Sequence, residues 1–242
     1  MAERARPEPI RPLDPRTLGS LLVIAPHPDD ETLGCGGLIA RARQLGQTVS
    51  VVFVTDGGRS HPGSRLFCPA RLAATRRSEA LDALRALAVR EDHVLFLGLP
   101  DGAVPSPGDP RFPTAVERVR EALGRFGPNT VLRPWRRDPH ADHRAVWRLV
   151  AGALERAAPC RVLDYIVWLE ETGQAEDWPR SGEATGLRVE IADVVETKNR
   201  ALLAHRSQLG LVVPDDPAGF ALPDTMLARA RRPFELFLAA SA

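Results

Sequence analysis

Residues 21–56 have the sequence LLVIAPHPDDETLGCGGLIARARQLGQTVSVVFVTD, and their pattern decides the predicted fold. The apolar residues 21–25 predict a strand that is buried on both faces, as in a parallel sheet. Four apolar residues then recur at helical spacing before a glycine: Leu38, Ile39, Ala42 and Leu45. Residues 48–55 predict the next strand. The ordered part of the chain therefore begins with a strand, a helix and a second strand.

The alternation of strand and helix continues to residue 158. Further strands are predicted within residues 93–102 and 129–135, and further helices within 74–89, 114–127 and 144–158. This order predicts an α/β domain with a doubly wound, mostly parallel sheet and helices on both faces. After Pro159 the pattern weakens: it predicts strands over 162–170 and 187–192, a helix over 194–208 and a short final element over 232–240.

Length and composition limit the class of protein. With 242 residues, 44% apolar and 26% charged, the chain suffices for one sizeable domain. The 32 basic residues nearly cancel the 31 acidic ones, so the formal net charge is +1. Proteins that bind nucleic acid or anionic membranes normally carry a surplus of basic residues. The composition therefore disfavours nucleic acid and membranes as partners.

The cysteines and the N-terminus bear on location. Cys35, Cys68 and Cys160 are far apart and form no C-x-x-C pair, which argues against a disulfide framework or a thiolate metal cluster and favours a reducing cytoplasm. Residues 1–20 alternate charge and proline, which predicts a flexible leader before a domain spanning 21–242. The apolar run at 21–25 is too short for a signal peptide or a membrane span.

Two polar clusters follow predicted strands. HPDDE at 27–31 follows the first strand, and HADH at 140–143 follows the strand predicted within 129–135. The carboxyl ends of parallel strands share one edge of a sheet, and doubly wound folds bind ligands there. We therefore expect the two clusters to meet and to hold one metal ion together.

The residue types in the first cluster suit a catalytic zinc. His27 and Asp30 are three residues apart, so one helical turn places them on the same side, while Asp29 points elsewhere. A catalytic zinc usually takes three N and O ligands and leaves one position for water. His27, Asp30 and one histidine of the second cluster complete that set. Asp29 is then predicted to be the general base.

The second cluster offers two histidines for one coordination position. Whichever of His140 and His143 does not bind the metal is free to act as an acid or to stabilise an oxyanion. Asp142 can orient an imidazole. A metal, a base and an imidazole opposite the base are the groups that hydrolysis of an unactivated amide needs.

Simpler explanations apply to each feature alone. Acidic side chains at 29–31 complement a helix dipole, and a histidine pair is often merely solvated; the presence of both clusters at one sheet edge favours the metal site. Gly34, Gly36, Gly37 and Asp56 imitate a dinucleotide fingerprint. Residues 25–33 intervene before the first of these glycines and carry negative charge, so we expect the glycines to allow close packing or substrate approach.

Five segments resemble the PIG-L or LmbE-like family of zinc-dependent N-deacetylases: VIAPHPDDETLGCGG, VVFVTDGG, RRSEALDALRALAV, LGLPDG and HADHRAV. The resemblance extends from about residue 22 to residue 151. It implies a Rossmann-like sheet and hydrolysis of an N-acyl group, typically acetyl on an N-acetylglucosamine-type sugar. By motif position it implies His27, Asp30 and His143 as zinc ligands and Asp29 as the general base.

The resemblance implies further roles. His140 would stabilise the tetrahedral oxyanion or protonate the amine, and Asp142 would tune His140. Arg76 and Asp101 match positions that face the substrate in family members; the plainer alternatives are a surface salt bridge for Arg76, to Glu79 or another neighbour, and an ordinary turn residue for Asp101.

Two more places in the chain bear on the resemblance. KNRALLAHRSQ matches a family helix in which His205 and Gln208 are expected to be structural. Asp138 stands where some members that act on sugar-thiol precursors carry tyrosine, which disfavours a thiol-sugar substrate.

The sequence thus predicts a cytoplasmic hydrolase that removes an acetyl or similar small acyl group from an amino sugar or glycoside. One zinc per chain, or another divalent ion in its place, is the expected cofactor. The alternatives are an amidase for larger N-acyl or conjugate substrates and a non-catalytic sugar- or nucleotide-binding module, against which the presence of Asp29 and His140 speaks. The expected partner is a small acylated amino sugar, and a homo-oligomer is compatible with the sequence.

Overall fold

Eight strands form one mixed sheet within residues 10–240, the part of the chain that the computed structural model describes. The strands are Ile10–Pro12 (β1), Leu21–Ala25 (β2), Val49–Thr55 (β3), Val94–Leu99 (β4), Thr130–Pro134 (β5), Arg161–Tyr165 (β6), Ala184–Glu190 (β7) and Phe234–Ala240 (β8). Their order across the sheet is β1-β7-β8-β6-β5-β2-β3-β4. β8 is antiparallel to both of its neighbours, and the other described pairs are parallel.

Seven α-helices are described within the same range: Asp30–Gln44 (α1), Pro69–Ala86 (α2), Phe112–Phe126 (α3), Ala141–Leu154 (α4), Leu169–Thr172 (α5), Val195–Leu202 (α6) and Asp224–Ala230 (α7). Alternate residues of the central strands point to opposite faces. Val23 and Val51 pack in one apolar cluster with α1, α2, α6 and α7, whereas Leu22 and Val52 pack in another with α3 and α4. The single-domain, doubly wound α/β prediction is therefore confirmed, with helices on both faces.

The glycines at the start of α1 permit close packing. A Cβ atom at Gly34 would collide with the ring of Tyr165, and one at Gly37 would collide with Ile191. Both glycines lie inside the helix rather than in the turn after β2. Their role is the close approach of α1 to the sheet, as predicted, and not the cradling of a pyrophosphate.

The N-terminal leader prediction is wrong for residues 10–20. β1 pairs in parallel with β7, and Leu13 and Leu18 are buried against the core, so this segment is anchored by strand pairing and by apolar burial. Residues 1–9 lie outside the described part of the chain. Leu45 also differs from expectation: it caps α1 and is exposed.

After residue 159 the observed helices and strands differ more from the predicted ones. The strand predicted over 162–170 ends at Tyr165 and gives way to α5, and the helix predicted over 194–208 ends at Leu202. His205 has non-helical backbone angles, and Ser207 bonds to Glu79 of α2 instead of continuing the helix. Helix α7 has no counterpart in the predicted elements. Tertiary contacts, rather than local periodicity, set these boundaries.

The order of strands creates a topological switch point. β2 lies between β3 on one side and β5 on the other, so the connections leaving β2 and β5 diverge at the carboxyl edge of the sheet. Such a divergence leaves a crevice in which doubly wound proteins bind ligands. Among residues 10–240, none of the helices has both the length and the apolar character needed to cross a membrane.

Candidate active site

The two predicted clusters meet at the switch point. His27 follows β2 and His140 follows β5, and their rings are 4.7 Å apart between centroids. His143 lies on the first turn of α4, 5.0 Å from the His140 ring. One nitrogen from each of the three rings can be chosen so that all lie within 4.8 Å of one another. The expectation that distant sequence motifs converge is met because β2 and β5 are adjacent parallel strands.

Asp30 connects the two predicted histidine ligands. Its Oδ2 atom lies 3.2 Å from His27 Nδ1 and 3.1 Å from His143 Nε2. Tetrahedral ligands at zinc bond lengths of about 2.0–2.1 Å are about 3.3 Å apart. The separations of this carboxylate from both imidazoles therefore equal those expected between ligands of one small cation.

His143 provides the test of whether a metal fits. It is fully buried, and neither ring nitrogen forms a hydrogen bond of acceptable geometry with the described residues, although Asp30 approaches to 3.1 Å and Asp138 to 3.4 Å. A buried nitrogen that lacks a well-aligned hydrogen bond yet lies 3.1 Å from a carboxylate oxygen is compatible with two ligands on one cation. The N, N, O donor set of His27, Asp30 and His143 is one that zinc accepts.

The charges around His27 favour a cation. Its Nε2 atom lies 3.1 Å from Asp142 Oδ2 and 3.3 Å from Asp101 Oδ1, opposite the nitrogen that faces Asp30. Burial lowers the pKa of His27, but the carboxylates of Asp101, Asp142 and Asp30 outweigh it and raise that pKa well above its usual value. Three carboxylates around one imidazole create a negative potential, which stabilises positive charge at this site.

The carboxylates of Asp101 and Asp142 are otherwise bound to backbone. Asp142 accepts the N–H groups of Gly102 and Val104, and Asp101 accepts the N–H of Arg59. These bonds leave the two side chains fixed behind His27, whereas Asp30 faces both His27 and His143. A second group of potential ligands, His27 with Asp101 and Asp142, is thus better described as the support of His27.

The role expected for Asp142 needs correction. Its carboxylate contacts His27 rather than His140, and only its backbone N–H reaches His140, donating to Nδ1 at 3.2 Å. His140 is the N-cap of α4, so its Nδ1 atom faces the free N–H groups of the helix. Asp142 therefore orients a predicted metal ligand, and His140 is oriented by the helix backbone.

The hydrogen bond from the Asp142 N–H to His140 Nδ1 also determines which nitrogen of His140 is the donor. Because Nδ1 accepts a hydrogen bond, the hydrogen of the neutral ring is assigned to Nε2. Burial, followed by the charges of His143 and His27, lowers the pKa of His140 to about 4. The ring lies beside Trp168 at the edge of the cavity.

Asp29 has a strained backbone and a carboxylate that caps no helix N–H. Its φ is +148° and its ψ is −24°, and although it is the N-cap of α1 its side chain makes no capping hydrogen bond. Its Oδ2 atom lies 3.2 Å from the guanidinium of Arg76. Burial raises the pKa of Asp29 to about 6 against the opposing charge of Arg76. The carboxylate lines the cavity beside the predicted metal ligands.

Arg76 is not at the surface, so the alternative of a surface salt bridge to Glu79 is wrong. It is 3% exposed and donates to the carbonyl oxygens of Gly57 and Pro28. Its position is fixed by backbone and by Asp29, although it also lines the cavity. Asp101 likewise is more than a turn residue, because its carboxylate reaches His27 and lines the same cavity.

A cavity of about 290 Å³ opens over these groups. Several of its residues carry no sequence signal for a site: Leu33, Arg59, Ser60, Trp168, Phe220 and Leu222. Gln208, expected to be structural, also lines it. Trp168 and Phe220 come from the segments between β6 and β7 and between α6 and α7, where local patterns are weak. Their mutual contact, with centroids 5.8 Å apart, forms an aromatic wall.

A smaller cavity lies elsewhere. It has a volume of about 50 Å³ between α1 and α7 and is lined by Lys198 and Glu235, which form a buried ion pair. None of the predicted site residues lines it. A further cavity of about 320 Å³, between α6 and α7, likewise contains none of the predicted site residues. Because those residues line the cavity at the switch point, the chemistry is assigned there.

Comparison with known proteins identifies relatives. The PIG-L family profile, described as GlcNAc-PI de-N-acetylase, matches residues 22–154. The 2'-N-acetylparomamine deacetylase of Streptomyces fradiae is 30% identical over 211 residues, covering 78% of this chain and 74% of that protein. The diacetylchitobiose deacetylase of Thermococcus kodakarensis is 29% identical over 204 residues, covering 78% and 69%.

A solved structure shares the fold. A conserved protein from Thermus thermophilus superposes with a TM-score of 0.67 at 28% sequence identity, covering 92% of this chain and 94% of the other. The similarity therefore includes the segments after residue 159, beyond the match to the family profile.

Proposed function

The chain belongs to the PIG-L family and is an amide-hydrolysing enzyme, and from this premise we propose that it uses one zinc ion to remove an acetyl or similarly small acyl group from an amino sugar. One observation carries the proposal: the Asp30 carboxylate lies between His27 and His143 at ligand spacing, beside a second buried carboxylate in the wall of a sugar-sized cavity. His27, Asp30 and His143 would hold the metal. When bound, the ion supplies Lewis acidity that activates water and polarises the acyl carbonyl.

Asp29 acts as the general base. Its carboxylate accepts a proton from the attacking water, and the water oxygen bonds to the acyl carbon as the carbonyl π electrons move onto the acyl oxygen. The carbonyl then re-forms, the C–N bond breaks, and the nitrogen takes up the proton that Asp29 had accepted. Arg76 holds the carboxylate through the 3.2 Å contact with Oδ2 and is itself fixed by two carbonyl oxygens. The base is thus held in one position before substrate binds.

His140 stabilises the negative charge that develops on the acyl oxygen. With Nδ1 occupied by the Asp142 N–H, its Nε2–H is free to donate into the cavity. A donor held in place by a helix terminus does not need to reorganise during the reaction, which is how oxyanion stabilisation lowers a barrier. This geometry favours the oxyanion role over the alternative that His140 protonates the amine.

The cavity suits a sugar with an N-acyl group. One wall is aromatic, formed by Trp168 and Phe220, and another is polar, formed by Asp101, Arg59 and Gln208. Sugar rings present an apolar face and a rim of hydroxyl groups, so these walls complement them. The named relatives act on acetylated amino sugars, 2'-N-acetylparomamine and diacetylchitobiose. A small acylated amino sugar is accordingly the proposed partner.

The decisive experiment combines metal analysis with acyl release. The purified protein is stripped of metal, reloaded with zinc, iron or magnesium, and assayed for released acid on N-acetylglucosamine glycosides and diacetylchitobiose. N-butyryl and N-octanoyl glucosamine test the alternative of larger acyl groups, which the aromatic wall would accommodate. We expect acetate release that depends on about one zinc per chain. Absence of turnover with every substrate and metal, or turnover that survives metal removal, would refute the proposal.

A further inference from the structure

The unusual conformation of Asp29 raises the question of what holds it. An aspartate at a helix N-cap normally has extended backbone angles and uses its side chain to accept a helix N–H. Here φ is +148°, and the side chain makes no such bond. The left-handed region is costly for a residue with a Cβ, by about 1–3 kcal/mol, and persists only where surrounding contacts enforce it. The result is a carboxylate turned away from the helix and into the cavity.

Glu31 supplies the reciprocal half of a capping interaction to Asp29. Its Oε2 atom accepts the backbone N–H of Asp29 at 3.0 Å. In a standard capping box the reciprocal side chain comes from the third helical residue, but here the third residue is Thr32 and the second supplies the carboxylate. The side chain of Glu31 therefore holds the peptide on the N-terminal side of Asp29.

Glu31 is in turn held by two donors. The Thr32 hydroxyl donates to its Oε1 atom at 2.6 Å. His205 Nε2 lies 3.2 Å from the same oxygen and is hydrogen-bonded at 3.3 Å to the Thr32 hydroxyl oxygen. Glu31, Thr32 and His205 are fully buried. Because Oε1 is an acceptor, the hydrogen on His205 is assigned to Nε2. A carboxylate whose two oxygens have fixed donors cannot turn away from Asp29 without leaving a buried group unpaired.

His205 reaches Glu31 because its own turn is anchored on α2. Ser207 donates to Glu79 through both its backbone N–H, at 2.8 Å, and its hydroxyl, at 2.6 Å. Glu79 lies one helical turn after Arg76, the residue that contacts the Asp29 carboxylate. Helix α2 thus fixes Asp29 from two directions, directly through Arg76 and indirectly through the turn that carries His205.

We propose that Glu31 and His205 form a positioning pair that keeps the carboxylate of Asp29 turned into the cavity. The proposal rests on the proposed function in that Asp29 is the general base. His205 itself does not touch the reacting groups. It acts through Glu31 on the backbone of Asp29, so that a residue from the C-terminal part of the chain sets the geometry of a base in the N-terminal part.

The test replaces His205 in two ways. His205→Leu fills the space but removes the donor to Glu31, whereas His205→Gln keeps a side-chain N–H that can donate. We expect His205→Leu to lower kcat about 10- to 100-fold, the cost of a misplaced catalytic group. KM and the zinc dissociation constant, measured by competition with a chelator, should stay within about twofold of the original protein. His205→Gln should recover most of kcat.

A readout that is independent of substrate separates this proposal from the proposed function. In a crystal structure of folded His205→Leu, φ of Asp29 should leave the positive region or its carboxylate should rotate out of the cavity. If wild-type protein showed no turnover, this structural result would still decide the positioning role. Thr32→Val removes the other donor to Glu31, so it should also lower kcat and displace Asp29, with a smaller effect. It provides the same test if His205→Leu fails to fold.

The matched control is His93→Leu. His93 is also a histidine hydrogen-bonded to a hydroxyl, that of Ser50, but it precedes β4 at the opposite edge of the sheet. It should leave kcat unchanged. The positioning role is overturned if Asp29 keeps its conformation and kcat is unchanged in both His205→Leu and Thr32→Val. It is also overturned if His205→Gln is as impaired as His205→Leu, or if the loss of kcat only follows the loss of zinc or of folded protein.

Discussion

The segment of residues 21–154 and the segment of residues 160–240 contribute to the site in different ways. The first supplies the predicted metal ligands and Asp29, on the segments that join β2 to α1 and β5 to α4 and on the first turns of those helices. The second supplies Trp168 and Phe220 to the cavity wall and His205 behind Glu31. Adjacent parallel strands bring their ends together by geometry alone, whereas the contributions of the second segment depend on long-range contacts.

The difference teaches where each property of the enzyme is encoded. The proposed reactive groups lie in two short motifs. Each motif begins before a helix, at His27 and at the N-cap His140, and ends in the first turn of that helix, at Asp30 of α1 and His143 of α4. The aromatic part of the cavity wall, Trp168 and Phe220, and the histidine behind Glu31, His205, lie on segments between β6 and β8. We therefore expect changes in the first segment to abolish the reaction, and changes in the second to alter its rate or its substrate preference.

The largest expected effect is that of His143→Ala. This change removes the buried ligand that, with Asp30, defines the metal position. Loss of a supporting contact alone commonly costs 10- to 100-fold in metal affinity, so loss of a ligand should weaken zinc binding more than about 100-fold. Activity should fall to background. Zinc content after dialysis, measured by atomic emission, checks this, and retention of one zinc per chain would contradict the ligand assignment.

The next largest effect is expected for Asp29→Asn. General base catalysis contributes about 10²- to 10⁴-fold, and asparagine cannot accept the proton of the attacking water. Because Asp29 is not among the proposed metal ligands, zinc affinity should change by less than about threefold. Single-substrate kinetics and a chelator titration measure the two quantities. An equal loss of zinc and of turnover would make Asp29 a ligand rather than the base.

The sequence predicts the first segment well because its signals are local. Apolar runs mark β2 and β3, and the order of elements predicts that the ends of β2 and β5 share an edge. The same reasoning cannot assign the partner of each carboxylate. Asp142 was expected beside His140 but contacts His27, since the direction of a side chain depends on how α4 packs against the loop at 102–104.

The second segment illustrates what local patterns miss. Trp168 follows β6 by three residues and resembles the continuation of a strand, yet its backbone N–H bonds to the carboxylate of Asp138 and α5 begins there. His205 has the spacing of a helical residue but leaves the helix because neighbouring Ser207 is held by Glu79. Each outcome is decided by a buried carboxylate distant in sequence, which periodicity cannot reveal.

A moderate effect is expected for Trp168→Ala. Removal of the ring takes away one side of the aromatic wall and its contact with Phe220, and aromatic contacts of this kind contribute about 0.5–1.5 kcal/mol. We expect kcat/KM for an N-acetyl sugar to fall about tenfold, mainly through KM, which corresponds to about 1.4 kcal/mol. Zinc content should not change. A panel of glycosides with different aglycones should show altered preference.

Trp147→Ala is the control for that change. Trp147 packs beneath the Arg133 guanidinium and does not line the cavity. It should affect thermal stability but not KM. If Trp168→Ala instead lowers kcat as strongly as Asp29→Asn does, the division between a reactive first segment and a selective second segment does not hold.

The smallest effect is expected for Asp215→Asn, at a contact that joins a loop of the second segment to a loop of the first. Asp215, in the loop before α7, accepts hydrogen bonds from the Ser64 hydroxyl and from the N–H groups of Arg65 and Leu66, in the loop after β3. The Ser64 hydrogen bond and those of the two backbone groups lower the pKa of Asp215 in the folded protein. Its charge therefore stabilises the fold above the unfolded pKa of about 4, and this contribution disappears as the pH falls through the lower folded pKa.

Asp215→Asn should consequently lower Tm by about 2 °C or less at pH 7, and the difference from the original protein should vanish as the pH falls below the folded pKa of Asp215. Because the Ser60 carbonyl in the same loop binds the N–H of Phe220, loosening this link should also raise KM about twofold. Asp109→Asn is the control, since Asp109 pairs with Arg111 away from the cavity. A shift of KM in both variants, or in neither, would mean that the link between the loops does not shape the cavity.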